Sequence, residues 1–283
     1  MPEWHIRRMF ERFSRGLDVV DGSLNVFRAN PRLAVLPLCS LLLVGSGFAV
    51  AAGIALHYGL VESLFTNDLI KYAAIFVGLA LTSSLGAFFN VAVAHCAFQY
   101  FDGEAPTVRD GLQSAWRSRR AIAIWALTSA TLGTVLYVLD EKFGFLGSAA
   151  RLVFDLAWGL LTFFVVPVIA VEDTADLRTI LRESGHAFKQ TWGESVSASL
   201  GVSLVVLPIA VVGIVLLGAG YLGLHGAAAW LLGGLGLLVV VAAIVAGQVL
   251  GMVARTALYE YATDGRRVGP FATRDPDSVF PDS

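Results

Sequence analysis

Long runs of uncharged apolar residues, recurring from one end of the chain to the other, constrain this sequence more than any other feature. A helix needs roughly 20 such residues to cross a hydrocarbon core about 30 Å thick. Only helices can carry these runs through lipid, because each backbone N–H and C=O must find its partner within the same segment. The runs predict about six spans: Leu33 to Tyr58, Leu69 to Phe98, Ala121 to Leu139, Leu152 to Val171, Val196 to Tyr221 and Ala227 to Leu258. Charged residues make up only 15% of the chain, well short of the quarter or so found in soluble domains. The expected class is all-α, a polytopic transmembrane helical bundle forming a single domain over 1–265, with a Pro-containing tail over 266–283. The first apolar run is read as a span that is kept, since it is too long for a signal-peptide core.

Lys and Arg set the orientation. One side receives Arg7, Arg8, Arg12, Arg15, Arg28 and Arg32, then Arg109, Arg117, Arg119 and Arg120, then Arg178, Arg182 and Lys189, and finally Arg255, Arg266, Arg267 and Arg274. The other receives only Lys71, Lys142 and Arg151. This asymmetry predicts both termini and the two longer loops in the cytoplasm of a prokaryotic plasma-membrane protein. A net charge of −2 speaks against a general nucleic-acid binder.

The Arg-rich segments carry a helical period. Phe10, Phe13, Leu17, Val20, Leu24 and Phe27 recur every three or four residues until Asn30-Pro31 breaks the pattern. Thr107 and Asp110 have the spacing of a capping box ahead of Val108, Leu112 and Trp116. Leu177, Ile180, Leu181, Phe188 and Trp192 form a third stripe, opposite Arg178, Arg182, Glu183 and Lys189. These are expected to be amphipathic interfacial helices on the cytoplasmic side, each followed by an outward and an inward span. The chain thereby reads as three helix-plus-hairpin units over 1–101, 102–172 and 173–265. Phe101-Asp102-Gly103 and Tyr261 followed by Asp264-Gly265 close two of them alike.

Two further stretches are distinctive: Phe13-Ser14-Arg15-Gly16-Leu17 with Asn30-Pro31, and Pro167-Val168-Ile169-Ala170-Val171-Glu172 followed by Leu181-Arg182-Glu183-Ser184. Together they resemble a group of uncharacterised prokaryotic six-span membrane proteins carrying a domain of unknown function. More distantly, they are similar to the membrane domain of some glycerophosphoryl diester phosphodiesterases. The resemblance implies a six-span fold and supplies no catalytic or ligand residue.

Ionisable groups within a span cost a few kcal/mol, about 2.5 to 3.5 at the centre on insertion scales, so each needs a reason. Asp155 stands one turn beyond Arg151 and is expected to pair with it. Asn90 and Gln248 need partners in lipid, either from a neighbouring helix or from a solute. His95 and Arg255 hold matching places near the cytoplasmic ends of their spans, where Arg snorkels or meets a headgroup phosphate. Glu172 and Asp173, just past Pro167, are expected to cap the next helix, with cation binding as the alternative. Pro167 should kink its span or release a carbonyl, and Pro208 should kink the fifth. Gly45, Ala49 and Gly53, and also Gly247 and Gly251, offer faces for close helix contact within a protomer or in a homo-oligomer.

Phosphate-binding, nucleophile-elbow, zincin and CxxC motifs are all missing from the sequence. Cys39 and Cys96 are expected to act as small core hydrophobes. The chain is therefore expected to be neither an enzyme nor a cofactor protein. The readings left open are a small-solute or ion transporter, which is favoured, and a non-catalytic lipid-binding or membrane-organising protein that meets anionic headgroups at the cytoplasmic face.

Overall fold

The computed structural model describes residues 21–172, 174–223 and 226–265. Asp173, His225, the leading helix up to residue 20 and the tail over 266–283 lie outside the described residues. All regular structure within them is helical, with no strand, and six helices are long and apolar enough to cross a membrane. These run Pro31–His57, Asp68–Phe101, Arg119–Phe143, Arg151–Val171, Trp192–Leu222 and Ala227–Asp264, within a few residues of the expected spans except where a helix continues past the apolar run. The architecture is that of an all-α, multi-pass membrane protein.

In chain order, residues 21–29 form α1. A 3-10 turn at Pro31–Ala34 leads into α2 (Val35–His57), α3 (Val61–Thr66) and α4 (Asp68–Phe101). Next come α5 (Val108–Arg117), α6 (Arg119–Phe143), α7 (Phe145–Leu161) and α8 (Val165–Val171), then α9 (Leu177–Gln190), α10 (Trp192–Gly223) and α11 (Ala227–Asp264). The chain resolves into two compact units, each assembled from non-consecutive stretches.

Among the described residues, one unit holds the stretch from 21 to 34, 97–106 and the stretch from 190 to 265. Its centre is the hairpin of α10 and α11, where Gly213, Gly220 and Gly236 let the two backbones approach so closely that a Cβ would collide with the facing main chain. Leu24 and Phe27 of α1 pack on Val202 and Leu250, so the expected stripe of the leading helix does seat against apolar neighbours where it is described. Asn30 ends α1 as expected, its N–H donating to the Val26 carbonyl at 3.0 Å. Pro208 stands inside α10, which continues through it as a helix. The matching Asp-Gly pairs have a local cause, because Gly103 and Gly265 both stop their helices at positive φ, +84° and +65°. That conformation costs glycine almost nothing.

The other unit holds 35–96 and 107–189. The Asn67 side chain accepts from the Leu69 and Ile70 N–H groups at 3.0 and 3.2 Å and starts α4. At that end α4, α6 and α7 are tied by an ion-pair network. Lys71 meets Asp68 at 3.2 Å and Glu141 at 2.5 Å, and Lys142 meets Asp68 at 3.0 Å. Arg151 meets Asp140 at 3.6 Å and Asp155 at 3.5 Å, and the Ser148 hydroxyl donates to Asp140. At the opposite end α5 lies on α4. Gly111 leaves no room for a Cβ, which would stand 2.7 Å from the Ala92 carbonyl oxygen, and the Cys96 thiol donates to the Thr107 carbonyl at 3.5 Å.

Candidate functional site

Three non-helical residues, Thr162 to Phe164, interrupt the fourth span between α7 and α8. Pro167 supplies the cause. It has no N–H to give the Phe163 carbonyl, and in a continuous helix its ring would collide with that carbonyl. The chain tightens instead: the Val165 N–H donates to Thr162 at 3.1 Å rather than to Leu161, and the Phe163 N–H reaches Leu160 at 3.5 Å. The Leu161 carbonyl and the Phe164 N–H at this break are both met from another helix.

A single side chain answers both. Ser184 of α9 is completely buried, its hydroxyl donates to the Leu161 carbonyl at 2.7 Å, and its oxygen accepts from the Phe164 N–H at 3.0 Å. Irregular backbone in a span is tolerated where protein encloses it, and Phe164, Val165, Val168 and Ile169 are each fully buried. The Phe188 ring of α9 lies 5.5 Å from that of Phe163. On the α7 side the Thr162 hydroxyl donates to the Trp158 carbonyl at 2.7 Å, and Trp158 is stacked between Trp125 and Phe154, with 5.8 Å between ring centroids in each case. The break is thus a built feature. The face that α9 turns inward is Ile180, Ser184, Ala187 and Phe188, so two members of the expected stripe, Ile180 and Phe188, are core, while Trp192 is 60% exposed.

The residues singled out from sequence are divided between the two units. Asn90 is half-buried in α4 beside the fully buried Val91, and His95 lies farther along α4, its charge helping to lower the Asp110 pKa. Five residues apart, Asn90 and His95 stand about 140° apart around the helix. Asp155 is formed into its pair with Arg151 but belongs to the ion network at the unit's other end. Gln248 and Arg255 are both partly buried on α11 in the other unit. Seven residues apart, they share a face at about 10 Å separation.

Glu172 requires a correction. It was expected to cap the following helix, but it is exposed and ends α8, its N–H donating to Val168 at 2.8 Å. The cap of α9 is Asp176, whose carboxylate accepts from the Thr179 N–H at 3.0 Å and the Thr179 hydroxyl at 2.6 Å. The chain between Glu172 and α9 is long enough to bring this later residue to the helix start. Among the described residues no group of three His, Cys, Asp or Glu is placed to hold a metal ion.

The capping box of α5 is formed as its spacing predicted: Asp110 N–H donates to the Thr107 hydroxyl oxygen at 3.2 Å, and the Thr107 N–H donates to the Asp110 carboxylate at 3.1 Å. Bonding to the Thr107 hydroxyl and then its N–H holds Asp110 below the ordinary aspartate range, and the Thr179 hydroxyl and N–H do the same for Asp176. A carboxylate whose folded pKa is depressed stabilises the fold above its unfolded pKa and loses that contribution as pH falls through the folded value. At neutral pH, Asp110→Asn and Asp176→Asn should therefore speed amide exchange over 108–117 and 177–190 respectively. The wild type should show the same loosening only when acidified below the ordinary aspartate range. Exchange unchanged in both variants would show that the caps do not hold these helices.

Sequence reasoning missed Ser184 and, apart from the Arg151–Asp155 pair, the ion network. A serine flanked at four-residue spacing by Ile180 and Phe188 on an otherwise apolar face was the signal for the first. Lys71 and Glu141 lie 70 positions apart, and the clue to them was only that oppositely charged residues mark the matching ends of successive spans.

No curated protein and no solved structure is detectably similar to the chain. A family model does match, over residues 63–269, a stretch that contains α4 to α11 with the interrupted span and Ser184, and the chain therefore belongs to DUF6159, a family of unknown function.

Proposed function

We propose that the chain is a small-solute or ion transporter in which the interrupted fourth span is the moving element. The observation carrying this reading is the single hydroxyl of Ser184 bridging the Leu161 carbonyl and the Phe164 N–H. Discontinuous spans are a recurrent device of transporters, because freed backbone groups at membrane depth can hold a polar solute. With Ser184 seated, both backbone groups of the break are occupied. Withdrawal of α9 exposes a donor and an acceptor, each costing about 1 to 3 kcal/mol if left bare, so opening is favourable when water or a polar solute takes the place of the hydroxyl. Asn90 and Gln248, one in each unit, are further polar groups within spans at which access of water can be probed. The Lys and Arg asymmetry supports a cytoplasmic placement of α5 and α9.

Membrane organisation by a second copy is the other reading, favoured by one observation: a Cβ at Gly45 or Gly53 of α2, two turns apart on one face, would meet nothing within 4 Å. This face is open to lipid or to another protomer. On neither reading does the chain act as an enzyme. A distant relation to a phosphodiesterase membrane domain is a further proposal and would favour neither reading over the other.

The test uses a chain with Cys39 and Cys96 replaced by alanine and single cysteines installed at Asn90, Thr162, Gln248 and Asp155 in turn. In intact membranes, a membrane-impermeant thiol reagent should modify Asn90→Cys and Gln248→Cys, and should modify Thr162→Cys faster when Ser184→Ala is added. Labelling confined to Asp155→Cys in both backgrounds would overturn the transport reading.

A further inference from the structure

The junction of α5 and α6 carries the most concentrated positive charge among the described residues, with Arg117, Arg119 and Arg120 all exposed. None of them takes part in an ion pair among the described residues, whereas Lys71, Lys142 and Arg151 at the other end of this unit are each matched by carboxylates, and Arg182 meets Glu183 at 3.0 Å. The nearby acid of α5, Asp110, is committed to its capping box at the far end of that helix.

Beside these arginines Trp116 is 64% exposed. It is the one bulky residue of the expected α5 stripe that the fold leaves outside, since α5 turns Gly111, Ser114 and Ala115 inward and half-buries Val108 and Leu112. The Arg119 guanidinium stands over the Trp116 ring, 5.7 Å from its centre, and donates to the Trp116 carbonyl at 3.1 Å, which holds the charge against the indole. Immediately along α6 the outward surface turns apolar, with Ile124 and Leu127 exposed. Charge, then indole, then hydrocarbon is the sequence of environments met on entering a lipid leaflet.

We propose that Trp116, Arg117, Arg119 and Arg120 form a binding site for the headgroup of an anionic phospholipid. The guanidinium forks match the phosphate diester and any additional headgroup charge, and Trp116 sits at the level of the glycerol backbone. The occupant is a lipid because the arginines adjoin a membrane-facing apolar surface. A soluble phosphate would leave Trp116, Ile124 and Leu127 unaccounted for. The site does not depend on whether the chain moves a solute. Its expected discrimination is roughly fivefold per arginine for an anionic over a zwitterionic lipid at low salt, weakening as salt rises.

The full chain in phosphatidylcholine nanodiscs provides the test, with a fixed fraction of brominated phosphatidylglycerol or, in parallel, the same fraction of brominated phosphatidylcholine. The emission of Trp116 is the difference between wild type and Trp116→Phe. Brominated phosphatidylglycerol should quench it several-fold more strongly at low salt. In the combined Arg117→Gln, Arg119→Gln and Arg120→Gln variant that preference should vanish while quenching by brominated phosphatidylcholine persists, which also shows that Trp116 is still seated in lipid. Equal quenching by the two lipids in the wild type would overturn the proposal, as would no quenching by either. A preference that survives the triple substitution would place the anionic site elsewhere and overturn it as well.

Discussion

Ser184→Ala should destabilise the membrane-embedded chain by about 2 to 4 kcal/mol, because one hydroxyl serves two buried backbone groups and each is worth about 1 to 3 kcal/mol when stranded. A competing estimate is smaller. Interhelical hydrogen bonds in membranes average about 0.6 kcal/mol, since the undocked helices find other partners. The larger figure applies here because the natural alternative partner is lost: closing α7 onto α8 would satisfy Leu161 and Phe164 within the helix, but Pro167 stands in the way. The argument predicts coupling. In a Pro167→Ala background the span can run on as a continuous helix, so the cost of Ser184→Ala should shrink by about 1 to 2 kcal/mol in a double-mutant cycle. Ser197→Ala is the control, because its hydroxyl donates to Gly193 on an exposed stretch of α10 and should change stability by no more than about 0.5 kcal/mol. Reversible unfolding in mixed micelles reads all four. Additive costs would detach Ser184 from the break.

The α10–α11 hairpin should be still less tolerant. A Cβ on Gly236 would stand 2.7 Å from the Gly213 oxygen and 2.9 Å from the Leu217 Cα, and one on Gly220 would stand 2.9 Å from the Ala229 oxygen. Main chain cannot swing aside as a side chain does, so the helices must separate along the seam. Alanine in place of helical glycine gains about 1 kcal/mol of intrinsic preference, whereas overpacking typically costs about 1 to 3 kcal/mol and more where no rotamer can yield. Gly236→Ala is therefore expected to lose about 3 kcal/mol or more net. Gly45→Ala and Gly53→Ala meet open space and should be neutral or stabilising by up to about 1 kcal/mol. If a second copy covers that face, those two substitutions instead cost stability and lower the oligomeric mass.

The membrane fold was legible because its code is coarse. Span length and hydropathy alone placed six helices, the Thr107 and Asp110 spacing gave a cap that is formed, and Pro167 marked the damaged span. What escaped depended on distance in sequence or on small polar residues. Pro167 and Pro208 look alike in sequence, yet α10 continues through Pro208 while the fourth span breaks before Pro167. A serine on another helix reaches that break and supplies what the backbone has lost. Ser184 was read only as part of a recurring stretch, since hydropathy gives a single hydroxyl no weight. The deep polar residues drew attention because charge and amide groups are rare in spans, but rarity carries no information about convergence: Asn90 and Asp155 belong to different parts of one unit, while Gln248 and Arg255 share a face of α11 in the other. Glu172 failed as a cap because capping depends on where the helix begins, and α9 begins at Leu177.

The central claim is that the fourth span is interrupted and that α9 is docked on the break. It is tested most directly by cross-linking Phe163→Cys to Phe188→Cys with a short bifunctional maleimide in native membranes, with the other cysteines removed. The two rings lie 5.5 Å apart, and Lys71→Cys with Glu141→Cys at the opposite end of the same unit is the positive control. Efficient cross-linking of the first pair, reduced by Ser184→Ala, is the predicted result. Absence of a cross-link while the control pair reacts would mean that α9 does not sit on the span, and would contradict the account.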